Sequence, residues 1–433
     1  NPGLAEVCAD GIDNDCSGDA PECRVLGEFG LSDATVTIQG PFGSGFGYTT
    51  AFGDLNGNGT PDLIVGAPDG HWPESGSDYA HGAVYVFEDF DGSATSSTQA
   101  DQVRGSDLHF SDMGGSLVSG VDWSGDGVAD LAVGSGEDAP LYARVVHLFE
   151  GTTSGLDSSP KASISQASAQ EYFGRFIYGG ADHDGDGKAE IYVSGLGDDG
   201  QWEYYIWSGI PGGDVDCSEA DQRIYGEGVG PGFVSADVNG DGLSDRFIRG
   251  AGHWLGDLGP GEGAANLHGA NMNGVIRPDY GFGFALGATA VDLNSDGHAD
   301  LILSEVDYND EGTDVETTLV VFNGAPDFDQ TTSTTHASAR IELDAGYAWH
   351  LLTPDIDSDG VSDIVVVDPF GRDETQVYYA DGGGGVVTEP AATVTTDCGE
   401  GASATPSVSA PGWLAIGCEN PRDEVYLFRS QGP

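Results

Sequence analysis

The chemistry available to this chain is concentrated in one recurring nine-residue pattern. Positions 1, 3 and 5 hold Asp, Asn or Ser, position 6 is Gly, and position 9 is an acid. The first copy sets Asp54, Asn56, Asn58 and Asp62, the second Asp122, Ser124, Asp126 and Asp130. The third sets Asp182, Asp184, Asp186 and Glu190, the fourth Asp237, Asn239, Asp241 and Asp245. Asp292, Asn294, Asp296 and Asp300 form the fifth, and Asp355, Asp357, Asp359 and Asp363 the sixth. Successive copies start 55 to 68 residues apart. This spacing puts four side-chain oxygens on the inside of one tight turn. The carbonyl at position 7 (Thr60, Val128, Lys188, Leu243, His298 or Val361) offers a further ligand. Glycine at position 6 supplies the backbone freedom to fold around an ion. Oxygen-only, carboxylate-rich ligation suits a hard cation, and Ca2+ accepts an irregular shell more readily than Mg2+. One such turn reads equally well as a hydrated hairpin connection. Six in register read as about six calcium sites. Each copy has its own site and no acid/base group repeats beside it, so structural ions are expected rather than catalytic ones.

The composition fits a chain that must manage carboxylates. Fourteen Lys and Arg stand against 72 Asp and Glu, for a formal net charge of −58. With no basic cluster, nothing can hold a phosphate backbone, which excludes nucleic acid as a partner. No apolar run approaches the roughly eighteen residues of a membrane span. Eighteen Phe, 16 Tyr and 7 Trp within a 38% hydrophobic chain are too many for disorder.

The loops need strands to hold them. After each comes a short apolar strand, such as Leu63-Ile64-Val65, Leu131-Ala132-Val133, Leu301-Ile302-Leu303 or Ile364-Val365-Val366-Val367. A β-rich segment follows (83–87, 145–149, 319–322), then a last strand (102–105, 223–226, 339–343). No window shows a helical period, and four short strands per unit repeated in series make a propeller blade. Residues 391–433 hold three more strand-like pieces, at 407–409, 413–416 and 424–428, with Pro411-Gly412 in place of an Asp loop. The orphan segment 34–38 at the other end supplies the missing fourth strand and caps an exposed edge. The expected fold is therefore all-β: a seven-bladed β-propeller of four-stranded antiparallel blades, closed by an N-terminal strand in the last blade. It is expected to span residues 31–433, behind a Cys/Asp-rich extension at 1–30.

The stretch from Phe46-Gly47 to Gly66-Ala67-Pro68 resembles the FG-GAP repeat of integrin α-subunit propellers and their bacterial relatives. The resemblance runs over roughly residues 33–430 and implies seven blades, with a calcium ion in each intact loop. Only the first unit keeps both Phe-Gly and Gly-Ala-Pro, and the fourth reads Arg246-Phe247-Ile248-Arg249-Gly250 where an apolar strand is expected. Residues 6–18 resemble a short Cys- and Asp-rich metal-binding motif of secreted and surface proteins of bacteria. By that resemblance Asp13, Asp15, Ser17 and Glu22 form a further calcium site; the other reading is a disulfide-pinned acidic tail without an ion.

Six cysteines in a calcium-dependent, Lys-poor chain point to disulfides and to a secreted, cell-surface location, with any leader removed. Cys398 pairs best with Cys418, which flank one hairpin of the final unit. Cys8, Cys16, Cys23 and Cys217 are expected to make two more, in an order left open. No His sits at zinc-ligand spacing to a Cys pair. Nucleophile-elbow, zinc-protease and phosphate-loop motifs are all absent. The function expected is a non-catalytic extracellular module, acting in adhesion or as a subunit of a surface layer or filament. Its partners would be a protein or glycan ligand, or copies of itself. The alternative is a carbohydrate-binding or carbohydrate-active propeller. Trp72, Trp202, Trp207 and Trp254 discriminate: clustered around a pocket they favour sugar, wedged in the core they favour assembly.

Overall fold

The computed structural model describes residues 27–70, 82–105, 112–135, 144–166, 172–180, 182–226, 229–250, 253–258, 267–268, 272, 274–278, 283–308, 315–328, 331–343, 350–356, 361–368, 374–380, 390–396, 398, 404–409, 413–418 and 422–429. Seven antiparallel sheets of four strands follow one another in chain order. Blade 1 is Thr49–Gly53, Asp62–Ala67, Ala83–Phe87 and Gln102–Gly105. The other blades repeat this four-stranded plan, and in blades 1 to 6 the nine-residue loop lies between the first and second strands. Blade 7 contains Ala404–Ser409, Trp413–Cys418 and Glu424–Arg429, and its outermost strand is Val36–Gln39 from the N-terminal end. Val36 lies opposite Leu427 and Ile38 opposite Val425, so the expected closure is present. Among the described residues helical structure is confined to short 3-10 turns, and no helix is long and apolar enough to cross a membrane.

The second strand of a blade is packed on both faces, which explains why these strands read as unbroken apolar runs. In blade 1 all six residues of Asp62–Ala67 are buried. The core lies between blades. Phe46, Val65, Trp413 and Leu427 join blades 1 and 7, and Leu414, Tyr426 and Val394 join blades 7 and 6, so the ring closes through packing as well as pairing. Phe-Gly serves this contact. Gly47 has φ +92°, and a Cβ there would lie 2.8 Å from the Glu424 carbonyl of blade 7. Trp207 and Trp254 are core wedges, at 2% and 0% exposure. Trp202 is half-buried against Tyr172 and Phe176, and Trp72 lies outside the described residues.

Blade 4 keeps its second strand despite the charges. Arg246 is buried within Asp245–Arg249, its guanidinium 2.6 Å from Asp257 and also bonded to Gln222, so the buried charge is paired. A further device links the blades. The segment ahead of a blade's outermost strand pairs in parallel with the outermost strand of the blade before. Val215–Asp216 joins Ala162–Ser165 in this way, and Thr331–Ser333 joins Gly274–Arg277. Gly27–Gly30 does the same on Ala392–Thr395 of blade 6. These additions cover edges that would otherwise be open.

Cys398 and Cys418 form the expected disulfide, with Cα atoms 5.3 Å apart. Cys217 departs from expectation: it is a free thiol, 6% exposed, packed in the core between blades 2 and 3. Its place at the start of a 3-10 turn directs it inward, and burial pushes its thiol up to about 12. Cys8, Cys16 and Cys23 lie outside the described residues.

Candidate metal centres

The loops of blades 1 to 5 share one hydrogen-bond grammar. The position-1 carboxylate accepts the N–H of the position-6 glycine: Gly59 to Asp54 at 2.7 Å, Gly127 to Asp122 at 2.7 Å, Gly187 to Asp182 at 2.8 Å. Gly242 to Asp237 and Gly297 to Asp292 repeat the bond at 2.9 and 2.8 Å. The position-5 side chain accepts the position-7 N–H, as in Val128 to Asp126 and Lys188 to Asp186, both 2.9 Å. Thr60, Leu243 and His298 donate to Asn58, Asp241 and Asp296 in the same way. Position-3 oxygens of Asn56, Asp184, Asn239 and Asn294 accept from the position-5 N–H, whereas in blade 2 the Ser124 hydroxyl donates to Asp122 at 3.2 Å. Each of these five loops is thus a string of side-chain turns that folds the backbone around its own carboxylates and amides.

In blade 6, Asp355, Val361 and Asp363 fall within the described residues, while Asp357 and Asp359 do not. The N-terminal Asp13, Asp15, Ser17 and Glu22 also lie outside them.

Position 9 behaves differently from the other positions of the loop. Asp62 accepts Leu55 N–H on one oxygen and Asp89 N–H on the other, both at 2.8 Å. Asp130 accepts Trp123 and Ser124 on one oxygen and Gly151 on the other. Asp245 takes Val238 N–H and the Asn239 amide, Asp300 takes Leu293 and Gly324, and Asp363 takes Ile356 and Ala380. These five acids latch the loop to the exit of the third strand or to the loop's own backbone. All are buried, and burial pushes Asp62 and Asp130 up to about 6, Asp245 up to about 7, and Asp300 upward.

Glu190 of blade 3 is the exception. Its Oε2 accepts His183 N–H at 2.9 Å, while Oε1 is buried with no donor among the described residues. Asp182, Asp184 and Glu190 bring ligand oxygens within 4.8 Å of one another. Burial, with Asp184 and Asp182 adding to it, pushes Glu190 up to about 7. Asp186 is not in this trio; it accepts the Ser208 hydroxyl at 2.7 Å, which holds its carboxyl low. Asp122, at position 1 of the blade 2 loop, shifts the other way. At Asp122 burial opposes ionisation, but the N–H groups of Gly127, Gly125 and Asp126 outweigh it and the carboxyl is held low. A buried carboxylate oxygen without a donor beside two more carboxylates is a donor set that fits a hard cation.

Two residues at the sites were not legible from the repeat. Asp89, at φ +50° just after Ala83–Phe87, accepts the side-chain amides of both Asn56 and Asn58. Ser208 plays its part at Asp186. Neither recurs: the residues in Asp89's place in blades 2 and 5 are Gly151 and Gly324.

A family model for the FG-GAP repeat matches residues 46–87. Integrin alpha-5 of Xenopus laevis is 32% identical over 165 residues, covering 36% of this chain and 15% of that protein. Integrin alpha-7 of Homo sapiens is 33% identical over 176 residues, or 40% and 14% of the two chains. Phosphatidylinositol-glycan-specific phospholipase D of Rattus norvegicus is 32% identical over 169 residues, or 37% and 20%. The chain thus matches a fifth or less of the length of each of these relatives. Residues 46–87 form an FG-GAP repeat, and the chain is a seven-bladed β-propeller related in sequence to integrin α-subunits.

Proposed function

We propose that this propeller is a non-catalytic, extracellular calcium-binding module that acts in adhesion or as a subunit of a surface layer or filament. One observation carries the reading: the buried, donor-free Oε1 of Glu190 beside Asp182 and Asp184, in one of six loops of the same pattern. The oxygen-only donor set favours Ca2+ over Mg2+, which dehydrates reluctantly and demands an octahedral shell. In this reading about six ions neutralise part of the −58 charge and tie first to second strands. A further ion sits in residues 1–30, an extension that reaches a neighbouring molecule. Sequence kinship with integrin α-subunits supports an adhesive role, with a protein ligand, a glycan or another copy of the chain as partner. The Cys398–Cys418 disulfide supports an oxidising compartment, and a bacterial cell surface suits the acidic, Lys-poor composition. The core positions of Trp207 and Trp254 favour assembly or adhesion over sugar binding.

Light scattering of the purified chain in millimolar calcium tests this reading. A mass several times the monomer that collapses with chelator identifies a subunit, and a calcium-stabilised monomer identifies an adhesive module. Mass and melting temperature that both ignore chelator contradict the proposal. In a polymer, deleting residues 1–26 distinguishes a linking arm from a passive tail. Gly27–Gly30 is retained because blade 6 pairs with it.

A further inference from the structure

We infer that the blade 3 loop is the primary cation site of the propeller, and that Glu190 makes it so. The inference rests on the calcium reading above but ranks sites that the reading treats alike. Five position-9 acids have both carboxylate oxygens taken by protein donors, mostly backbone N–H groups. Their first task is holding the loop shut, and a cation must share their lone pairs with those donors. Glu190 has one methylene more. It keeps the latch through Oε2 to His183 N–H and leaves Oε1 uncommitted, 4% exposed as a residue and without a donor among the described residues. Asp182 and Asp184 place ligand oxygens within 4.8 Å of it. The blade 3 loop therefore offers a cation a desolvated carboxylate oxygen that no donor among the described residues competes for. Leaving such an oxygen unpaired is costly, and an ion removes that cost, so binding is strongest here. Charge count alone would rank blade 6, with four acids, equal to blade 3; the geometry at position 9 separates the two roles of that acid.

Calorimetric titration of the calcium-stripped full chain with CaCl2 tests the inference. The wild type is expected to show one site per chain tighter than the rest. Glu190→Gln should weaken that site by at least about tenfold, the loss that even outer-shell changes cause at metal sites. Glu190→Asp, which can keep the bond to His183 while withdrawing the second oxygen, should do the same with the fold intact by circular dichroism. Asp130→Asn should leave the tight site in place and lower the melting temperature instead. A tight site that survives both Glu190 variants, or that Asp130→Asn abolishes, overturns the inference while leaving the calcium reading standing. A wild type that takes up no calcium overturns both.

Discussion

The backbone N–H of Ala299 in blade 5 donates to the carbonyl of Asp237 in blade 4 at 3.0 Å, so one Asp-rich loop is hydrogen-bonded directly to the next. Ala129 to Asp54 and Ser244 to Asp182 repeat this bond between blades 1 and 2 and between blades 3 and 4, at 3.3 and 2.9 Å. In each case position 8 of one loop bonds position 1 of the loop before it. Blade 1 has Pro61 at position 8, which carries no N–H, and the blade before it, blade 7, has no Asp loop. Where no neighbouring loop exists, the donor is missing too.

Removing the donor should therefore cost stability at some blades and not at another. Ala299→Pro and Ala129→Pro should each destabilise by about 1–3 kcal/mol in urea unfolding, since each leaves a carbonyl without its partner. Pro61→Ala removes no such bond and should stay within about 1 kcal/mol of wild type. Equal effects at all three positions would show that the loops are not linked in this way.

Calcium removal should lower the melting temperature cooperatively across the ring. Ligands that bind only the native state stabilise it by mass action, about 4 kcal/mol per site at a thousandfold excess over Kd. Melts recorded in calcium and in excess chelator should separate widely, and superimposable curves would count against ion binding.

The stabilisation by calcium should also depend on pH, with a definite sign. In the metal-free fold, burial raises the carboxyls of Asp62 and Asp130 to about 6 and those of Glu190 and Asp245 to about 7. Raised acids contribute stability that is fully present below their unfolded values. That contribution is lost as pH rises through the folded values, here between about 4 and 7. His147, pushed down to about 4 by burial, acts oppositely: its contribution holds above about 6.5 and fades towards 4. The histidine term is common to both conditions and cancels. The difference in melting temperature between calcium and chelator should therefore be larger near pH 7.5 than near pH 5. A difference that shrinks over that range would contradict the burial of these acids.

The cysteines provide a check on the core. Cys217 should resist maleimide in the native protein and react only after denaturation, as peptide mapping would show. Rapid native labelling would place it outside the core between blades 2 and 3. Replacing Cys398 and Cys418 together with Ser should cost about 2–4 kcal/mol.

Much of this was legible because the chain repeats itself. Six Asp loops, the apolar second strands and the orphan strand ending at Ile38 are enough to build seven blades and close them. Cys398 with Cys418 followed from their places around one hairpin. What escaped detection does not repeat or has no period. Asp89 stands where other blades have Gly151 or Gly324. Parallel edge segments such as Val215–Asp216 are too short to show alternation. Arg246 looked like a break in a strand because its partners, Asp257 and Gln222, lie on other strands. The latching role of position 9 was hidden for another reason: its donors, such as Gly151 and Ala380, are backbone groups, which composition cannot reveal.

Equilibrium dialysis of the purified chain against calcium, read out as bound ion per chain, tests the central claim most directly. About six ions per chain are expected from the propeller loops, the first bound much more tightly than the last. A chain that retains no calcium at millimolar concentration would contradict the account.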